Sequence, residues 1–209
     1  MTDIWNPPET ILIYGSSFLT ELVVNRLKKE PLDLIGYVPC VGSPTIPGNI
    51  DLPKISQDEW VQPDIAISIQ YDRIIPVNEY TFNLHTGLLP EFGGRDILRH
   101  TLKENKDEQG LTFHQIDENY DSGKIISKIT YPVVEGDDER QLYKRQCCIA
   151  PDFVISCLKL ISCMRDSQIK KCHSKPPRLL ERDGTGKDKD FSKWKKSVVE
   201  NLENVRFFD

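Results

Sequence analysis

Long apolar runs are missing from this chain of 209 residues: no stretch reaches the ~18 consecutive apolar residues that a membrane-spanning helix needs. Met1 to Glu9 is polar, carries two prolines and contains no apolar signal core. Both absences point to a cytoplasmic protein with no membrane partner. Basic excess is missing as well. Lys and Arg total 27 against 32 Asp and Glu, a net charge of −5, whereas binding to a phosphate backbone draws on a basic face. Nucleic acid is therefore not an expected partner. The one basic cluster, Lys187 to Lys196, alternates with Asp188 and Asp190 and reads as a solvated tail. Six cysteines are present, but none forms a C-x-x-C pair and no histidine stands at zinc-finger spacing. No metal site is expected, and Cys147, Cys157 and Cys163 read as free thiols buried in a helix.

What is present suits one core. Apolar residues make up 38% of the chain, enough for a single domain over residues 1–165 followed by an extension over 166–209. Thr10 to Tyr14 reads as a buried strand, and Phe18 to Lys29 as an amphipathic helix. Leu34 to Cys40, Ile65 to Ile69, Thr81 to His85, Gly110 to Ile116 and Lys124 to Val133 read as further strands. Pro39 to Pro53 is rich in Pro and Gly and reads as a loop. Arg95 to Glu104 is a helix candidate. Asp138 to Met164 is a longer one, with Leu142, Ile149, Phe153, Cys157 and Ile161 on one stripe. Pro151 interrupts it, which predicts a kink or two abutting helices. Beyond Arg165 the chain turns polar, with a short helix expected over Phe191 to Leu202. This order predicts an α/β fold: a Rossmann-like, mostly parallel sheet flanked by helices, with one antiparallel pairing between the last two strands.

In such sheets ligands bind at the carboxyl ends of the strands. Two places there carry unusual chemistry. Asn83 and His85 lie two apart in one strand and so face the same side, just before a turn made by Gly87 and Pro90. Asp121 lies in the acidic loop Asp117 to Gly123, where an aspartate also serves plain turn geometry. Neither place decides a function alone.

Together they resemble a family. Ile69 to Pro76, Phe82-Asn-Leu-His-Thr-Gly-Leu-Leu-Pro90 and Phe92-Gly-Gly94 resemble the central block of the folate-dependent formyltransferases. Gly110-Leu-Thr-Phe-His114 and the loop from Asp117 to Ile126 are similar to two further segments of that family, in the same order. Even Pro151 resembles a proline the family carries in its long helix. The resemblance implies 10-formyltetrahydrofolate as formyl donor and an amine as acceptor. It implies that Asn83 and a protonated His85 donate to the oxyanion formed as the amine adds, while Asp121, alone or with His85, takes the surplus proton. It implies a folate slot formed by Gln70, Tyr71, Ile74, Ile75, Leu88, Leu89 and the backbone of Asn119, Tyr120 and Asp121. Gly15, Ser16, Gly87, Phe92 and Gly93 would meet the acceptor. His114 matches a family position but reads as structural, and His100 and His173 as surface groups. Gly87, Thr86 and Gly93 depart from the family pattern around the amine, which bears on the acceptor more than on the reaction.

Three acceptors are common in that family. The 44 residues after Arg165 and the acidic balance disfavour methionyl-tRNA. A phosphate-holding first loop, as glycinamide ribonucleotide would need, is represented only by Gly15-Ser16-Ser17. A nucleotide-linked amino-dideoxy sugar is the acceptor the sequence favours. Tyr143, Arg145 and the stretch from Lys175 to Trp194 are candidates to meet its nucleotide, and a homodimer is compatible with that reading. A catalytically silent binding module and a formyl-folate hydrolase remain as alternatives.

Overall fold

A computed structural model describes residues 10–42, 44, 46–59, 61–164 and 179–180. Six strands form one sheet in the order β2-β1-β3-β4-β6-β7. They are β1 (Thr10–Tyr14), β2 (Asp33–Val38), β3 (Ile65–Ile69), β4 (Thr81–His85), β6 (Glu108–Gln115) and β7 (Ile125–Pro132). The first four are mutually parallel, and β6 and β7 run antiparallel to their neighbours. Three helices accompany them: α1 (Phe18–Leu27), α2 (Ile97–Lys103) and α3 (Glu139–Met164). The expected α/β class, the mostly parallel sheet and the antiparallel pairing of the last two sheet strands are all present. Among the described residues no helix is long and apolar enough to cross a membrane.

The strands alternate, and the alternation divides the sheet into two unlike faces. Ile11, Ile13, Ile65, Ile67, Ile69, Phe82, Leu84, Leu111 and Phe113 pack with α1 and α3 in one core cluster. Phe82 and Phe113 stack at its centre, with ring centroids 5.4 Å apart. On the other face, Leu12 packs with Val38 and Ile55, and several residues of β3, β4 and β6 are polar. Ser68, Asn83 and His114 are side by side in one row across β3, β4 and β6, and His85 is opposite Thr112 in another. The helices thus cover the apolar face, and the chemistry stands on the other.

Two features stand out: the helix-free linkers, one of them expected from its Pro and Gly content, and the course of α3. Parallel strands are usually joined by a helix, yet among the described residues only the β1–β2 crossing contains one. The segments linking β2 to β3 and β3 to β4 are loops. Further, α3 is one continuous helix through Pro151, not two. A proline removes a single intrahelical bond, and this helix is anchored around it by buried Gln146, Cys147, Ala150, Val154 and Leu158. Burial pushes the Cys157 thiol up to about 12, consistent with a free buried cysteine. The helix expected over Phe191 to Leu202 lies outside the described residues. A short strand that the sequence did not suggest, β5 (Gly93–Gly94), pairs in parallel with β8 (Leu179–Leu180).

Gly15, between β1 and α1, has φ +136, and a Cβ there would collide with the Ile69 carbonyl at the end of β3. Gly136 also has positive φ, but a Cβ there meets nothing within 4 Å. Gly136→Ala should cost about 1 kcal/mol of backbone strain alone. Gly15→Ala adds a collision with backbone and should cost several times as much, read from urea unfolding midpoints at equal slope. Equal losses would mean that the approach to β3 constrains nothing.

Candidate active site

The polar row at the carboxyl end of β4 is brought to one point by a pinned turn. After His85 the chain passes through Thr86 to Leu89, and four bonds hold it. Gln146 of α3 donates to the Thr86 carbonyl at 2.9 Å, and Thr112 Oγ1 donates to the Gly87 carbonyl at 2.6 Å. The Leu88 amide donates to Gln109 Oε1 at 3.2 Å, and the Leu89 amide to Thr112 Oγ1 at 3.0 Å. Gln109, Thr112 and Gln146 are all fully buried, where an unsatisfied polar group is costly. Their partners lie in this turn, so the turn has little freedom. It returns through Phe92, whose amide donates to the Leu88 carbonyl. The Phe92 carbonyl faces back and accepts from His85 Nε2 at 2.6 Å.

That bond fixes the imidazole. With Nε2 protonated and occupied, His85 turns Nδ1 toward Asp121 Oδ1, 3.5 Å away. Asp121 is held from the other side, because its Oδ2 accepts from the Gly94 amide at 2.8 Å. Its loop closes on itself: the Asn119 amide and the Ser122 hydroxyl both donate to Asp117 Oδ1. The Gln115 amide donates to the Lys124 carbonyl. Asp121 itself has φ 53, a left-handed conformation that aspartate tolerates better than most residues.

A fourth residue joins the three expected from sequence. His114, opposite Asn83 across the β4–β6 pair, has Nε2 3.1 Å from Asn83 Nδ2 and 3.7 Å from Asp121 Oδ1. His85 and His114 are 5% and 2% exposed. Burial pushes His85 below its ordinary value, against the pull of the Asp121 carboxylate and the Phe92 carbonyl. His114 is pushed down to about 4, by burial first and by His85 second, with Asp121 opposing. Both shifts favour the neutral ring. Burial thus works against the protonated His85 that the resemblance implies. Its one N–H is engaged by Phe92 and its bare nitrogen faces a carboxylate. The cluster gathers an imidazole lone pair around a carboxylate oxygen, an arrangement that takes up a proton.

The other expected residues divide. Of the folate set, Ile75 and Leu89 are core residues and Leu88 is half-buried against Phe92 and Ile97. Tyr71 meets Tyr14 edge-on at 5.3 Å. Gln70, Asn119, Ile74 and Tyr120 are exposed, the last two at 77% and 71%. Of the acceptor set, Phe92 contributes its carbonyl while its ring is buried, and Gly93 is in β5. Gly15 and Ser16 stand at the start of α1, where three of the backbone donors are engaged. The Gly15 amide bonds the Val38 carbonyl, the Phe18 amide bonds the Ile46 carbonyl, and the Thr20 amide bonds Ser17 Oγ. Arg145 is held bidentate by Asp137 and also reaches the Pro132 carbonyl. Tyr143 donates to Gln70 at 3.4 Å. The stretch from Lys175 to Trp194 lies outside the described residues except for Leu179–Leu180.

A family model described as formyl transferase matches residues 54–157, a span that contains Asn83, His85, His114 and Asp121. Methionyl-tRNA formyltransferase of Chlorobium phaeovibrioides is 31% identical over 153 residues, covering 69% of this chain and 46% of that protein. GDP-perosamine N-formyltransferase of Brucella melitensis is 32% identical over 90 residues, covering 40% and 35%. The chain thus spans less than half the length of these relatives. Among solved structures, the sugar 3N-formyl transferase WlaRD, crystallised with dTDP and 5-N-formyl-THF, has the same fold. Its TM-score is 0.69 at 21% identity, over 80% of this chain and 66% of that one. Glycinamide ribonucleotide transformylase 1 of Symbiobacterium toebii follows at 0.62 and 18%, over 76% and 89%. With the sheet, the polar row and the matched span in agreement, the chain belongs to the formyl transferase family.

Proposed function

We propose that this chain transfers the formyl group of 10-formyltetrahydrofolate to the amino group of a nucleotide-linked amino-dideoxy sugar. The observation that carries the reading is the convergence of Asn83, His85, His114 and Asp121 on one point at the end of β4. The donor supplies a formyl carbon activated by its attachment to the folate nitrogen. Two demands then fall on the protein. Negative charge develops on the formyl oxygen and needs a preorganised donor. The incoming amine is left with a surplus proton and needs an acceptor.

Asn83 meets the first demand. One proton of its Nδ2 is engaged by His114, and the other has no partner among the described residues. The His85–Asp121 pair meets the second. Asp121 Oδ1 and His85 Nδ1 face each other across 3.5 Å with no proton between them, so one added proton is shared by both. The Phe92 carbonyl and the Gly94 amide keep the two from turning away. For the flat ring of the donor, exposed Ile74 on the loop leaving β3 and exposed Tyr120 beside Asp121 are suitable surfaces. Ile75 and Leu89 lie beneath and shape the loops without touching it.

The amino sugar is favoured over glycinamide ribonucleotide by the start of α1. A phosphate held there would need free backbone donors, and the amides of Gly15, Phe18 and Thr20 are already bonded. Sugar N-formyltransferases also stand among both the curated relatives and the structural neighbours.

Incubation with 10-formyltetrahydrofolate and a panel of amines tests the acceptor. Turnover is expected with an amino-sugar nucleotide. Turnover only with glycinamide ribonucleotide or methionyl-tRNA would remove the sugar, and formate release without any amine would replace transfer by hydrolysis. Asn83→Ala should lower kcat on the order of 100- to 1,000-fold through loss of one oxyanion donor. Asp121→Asn keeps the shape but cannot take the proton and should fall at least as far. Near-normal turnover in either variant would remove the assigned role.

The two buried histidines also set a pH dependence. Their folded values lie below the ordinary value of 6.5, so below pH 6.5 the unfolded chain binds more protons than the folded one. Stability is therefore full above pH 6.5 and is lost as pH falls below it, for His114 down to about 4, at up to about 1.4 kcal/mol per pH unit while that ring stays neutral in the folded chain. The acid limb of transfer should be centred below pH 6.5. An acid limb centred at or above 6.5 would show that His85 rests as imidazolium.

A further inference from the structure

His114 is oriented by its own strand. Its Nδ1 lies 2.9 Å from the Gln115 carbonyl oxygen. A carbonyl can only accept, so Nδ1 carries the proton. The ring is 2% exposed, and burial disfavours a second proton, so Nε2 presents a lone pair. Asn83 lies 3.1 Å from that lone pair. A carboxamide has one donating and one accepting end, and two lone pairs at that distance repel. Only the Nδ2 end fits.

We propose that the Gln115 carbonyl, acting through the tautomer of His114, decides which way round the Asn83 carboxamide stands. His114 is then a positioning residue for formyl transfer, and this role rests on the functional reading above. The direction matters because the carboxamide is nearly symmetric in shape and opposite in charge. As it stands, Nδ2 gives one proton to His114 and keeps a second, which has no partner among the described residues, to meet a developing negative oxygen. Turned round, Asn83 would present an oxygen lone pair there, and charge would develop against charge. Nothing else among the described residues bonds the Asn83 side chain, so the backbone of β6 specifies an electrostatic feature of the site through one ring. The neighbouring titratable groups, His85, Asp121 and Asp117, alter the charge around that ring but do not replace its bond to Gln115.

The arrangement is readable without turnover. In the full-length 15N-labelled protein at neutral pH, long-range proton–nitrogen correlation should show His114 protonated at Nδ1 and bare at Nε2. A nitrogen–nitrogen coupling should connect Nε2 to Asn83 Nδ2 across the hydrogen bond. A proton on Nε2, or absence of that coupling in a spectrum that resolves both nitrogens, overturns the proposal whatever the enzyme does. Kinetics then test the consequence. His114→Phe keeps the ring and removes the acceptor, and should lower kcat on the order of 100-fold while leaving KM for 10-formyltetrahydrofolate little changed. His114→Gln, which can offer an oxygen acceptor to Asn83, should recover part of the loss. Unchanged kcat in His114→Phe, or equal losses in both variants, overturns the positioning role. Should His114→Phe not fold, the coupling and His114→Gln still decide. If the wild-type protein formylates no amine, the functional reading fails by itself, and the orientation of Asn83 is judged by the spectrum alone.

Discussion

The site depends on a backbone carbonyl that is not free to move. Phe92 presents its oxygen to His85 Nε2, and this bond alone turns Nδ1 toward Asp121. The carbonyl stays in place because the turn before it is bonded to three fully buried polar side chains, Gln109, Thr112 and Gln146, from two different elements. Buried polar groups bonded to the backbone make a stiff frame, since a bond broken away from water is costly. Rigidity is what a charge-stabilising site requires, because donors that must reorganise during reaction lose most of their effect.

The second structural condition is the unlike character of the two sheet faces. Ile67, Ile69, Phe82, Leu84, Leu111 and Phe113 secure the sheet to α1 and α3. The residues between them are thereby released from core packing. The same five-residue strand β4 thus supplies both Leu84 to the core and Asn83 and His85 to the polar row. A register slip of one residue would exchange the faces and abolish both at once.

Much of this was legible in the sequence. Apolar runs between turn signals located the central strands to within a residue or two, and N-x-H at the end of β4 put two polar groups on one side because residues two apart share it. Asp121 was found through the order of motifs, as no spacing rule links it to a strand nearly forty residues earlier. His114 was read as structural because a histidine within an apolar strand usually is. The missed signal was that Thr112 and His114 repeat, on the facing strand, the two-residue polar step of Asn83 and His85. Gln109, Gln146 and the Phe92 carbonyl carried no visible sign, since their roles exist only once distant segments meet. The neutral state of His85 was likewise hidden, because it follows from burial and from which nitrogen the backbone occupies. The continuity of α3 through Pro151 was set by tertiary packing, which outweighs one missing bond.

The linkers from β2 to β3 and from β3 to β4, which carry no helix among the described residues, give the molecule a division of labour. A crossover helix must pack, so its sequence answers to the interior. A loop over the polar face answers mainly to whatever lies above it. In this chain, the segments nearest an incoming ligand can therefore change in length and composition while the rungs of β4 and β6 stay fixed. The polar rungs are thus held by the sheet, and the linkers above them are held by far fewer interior contacts.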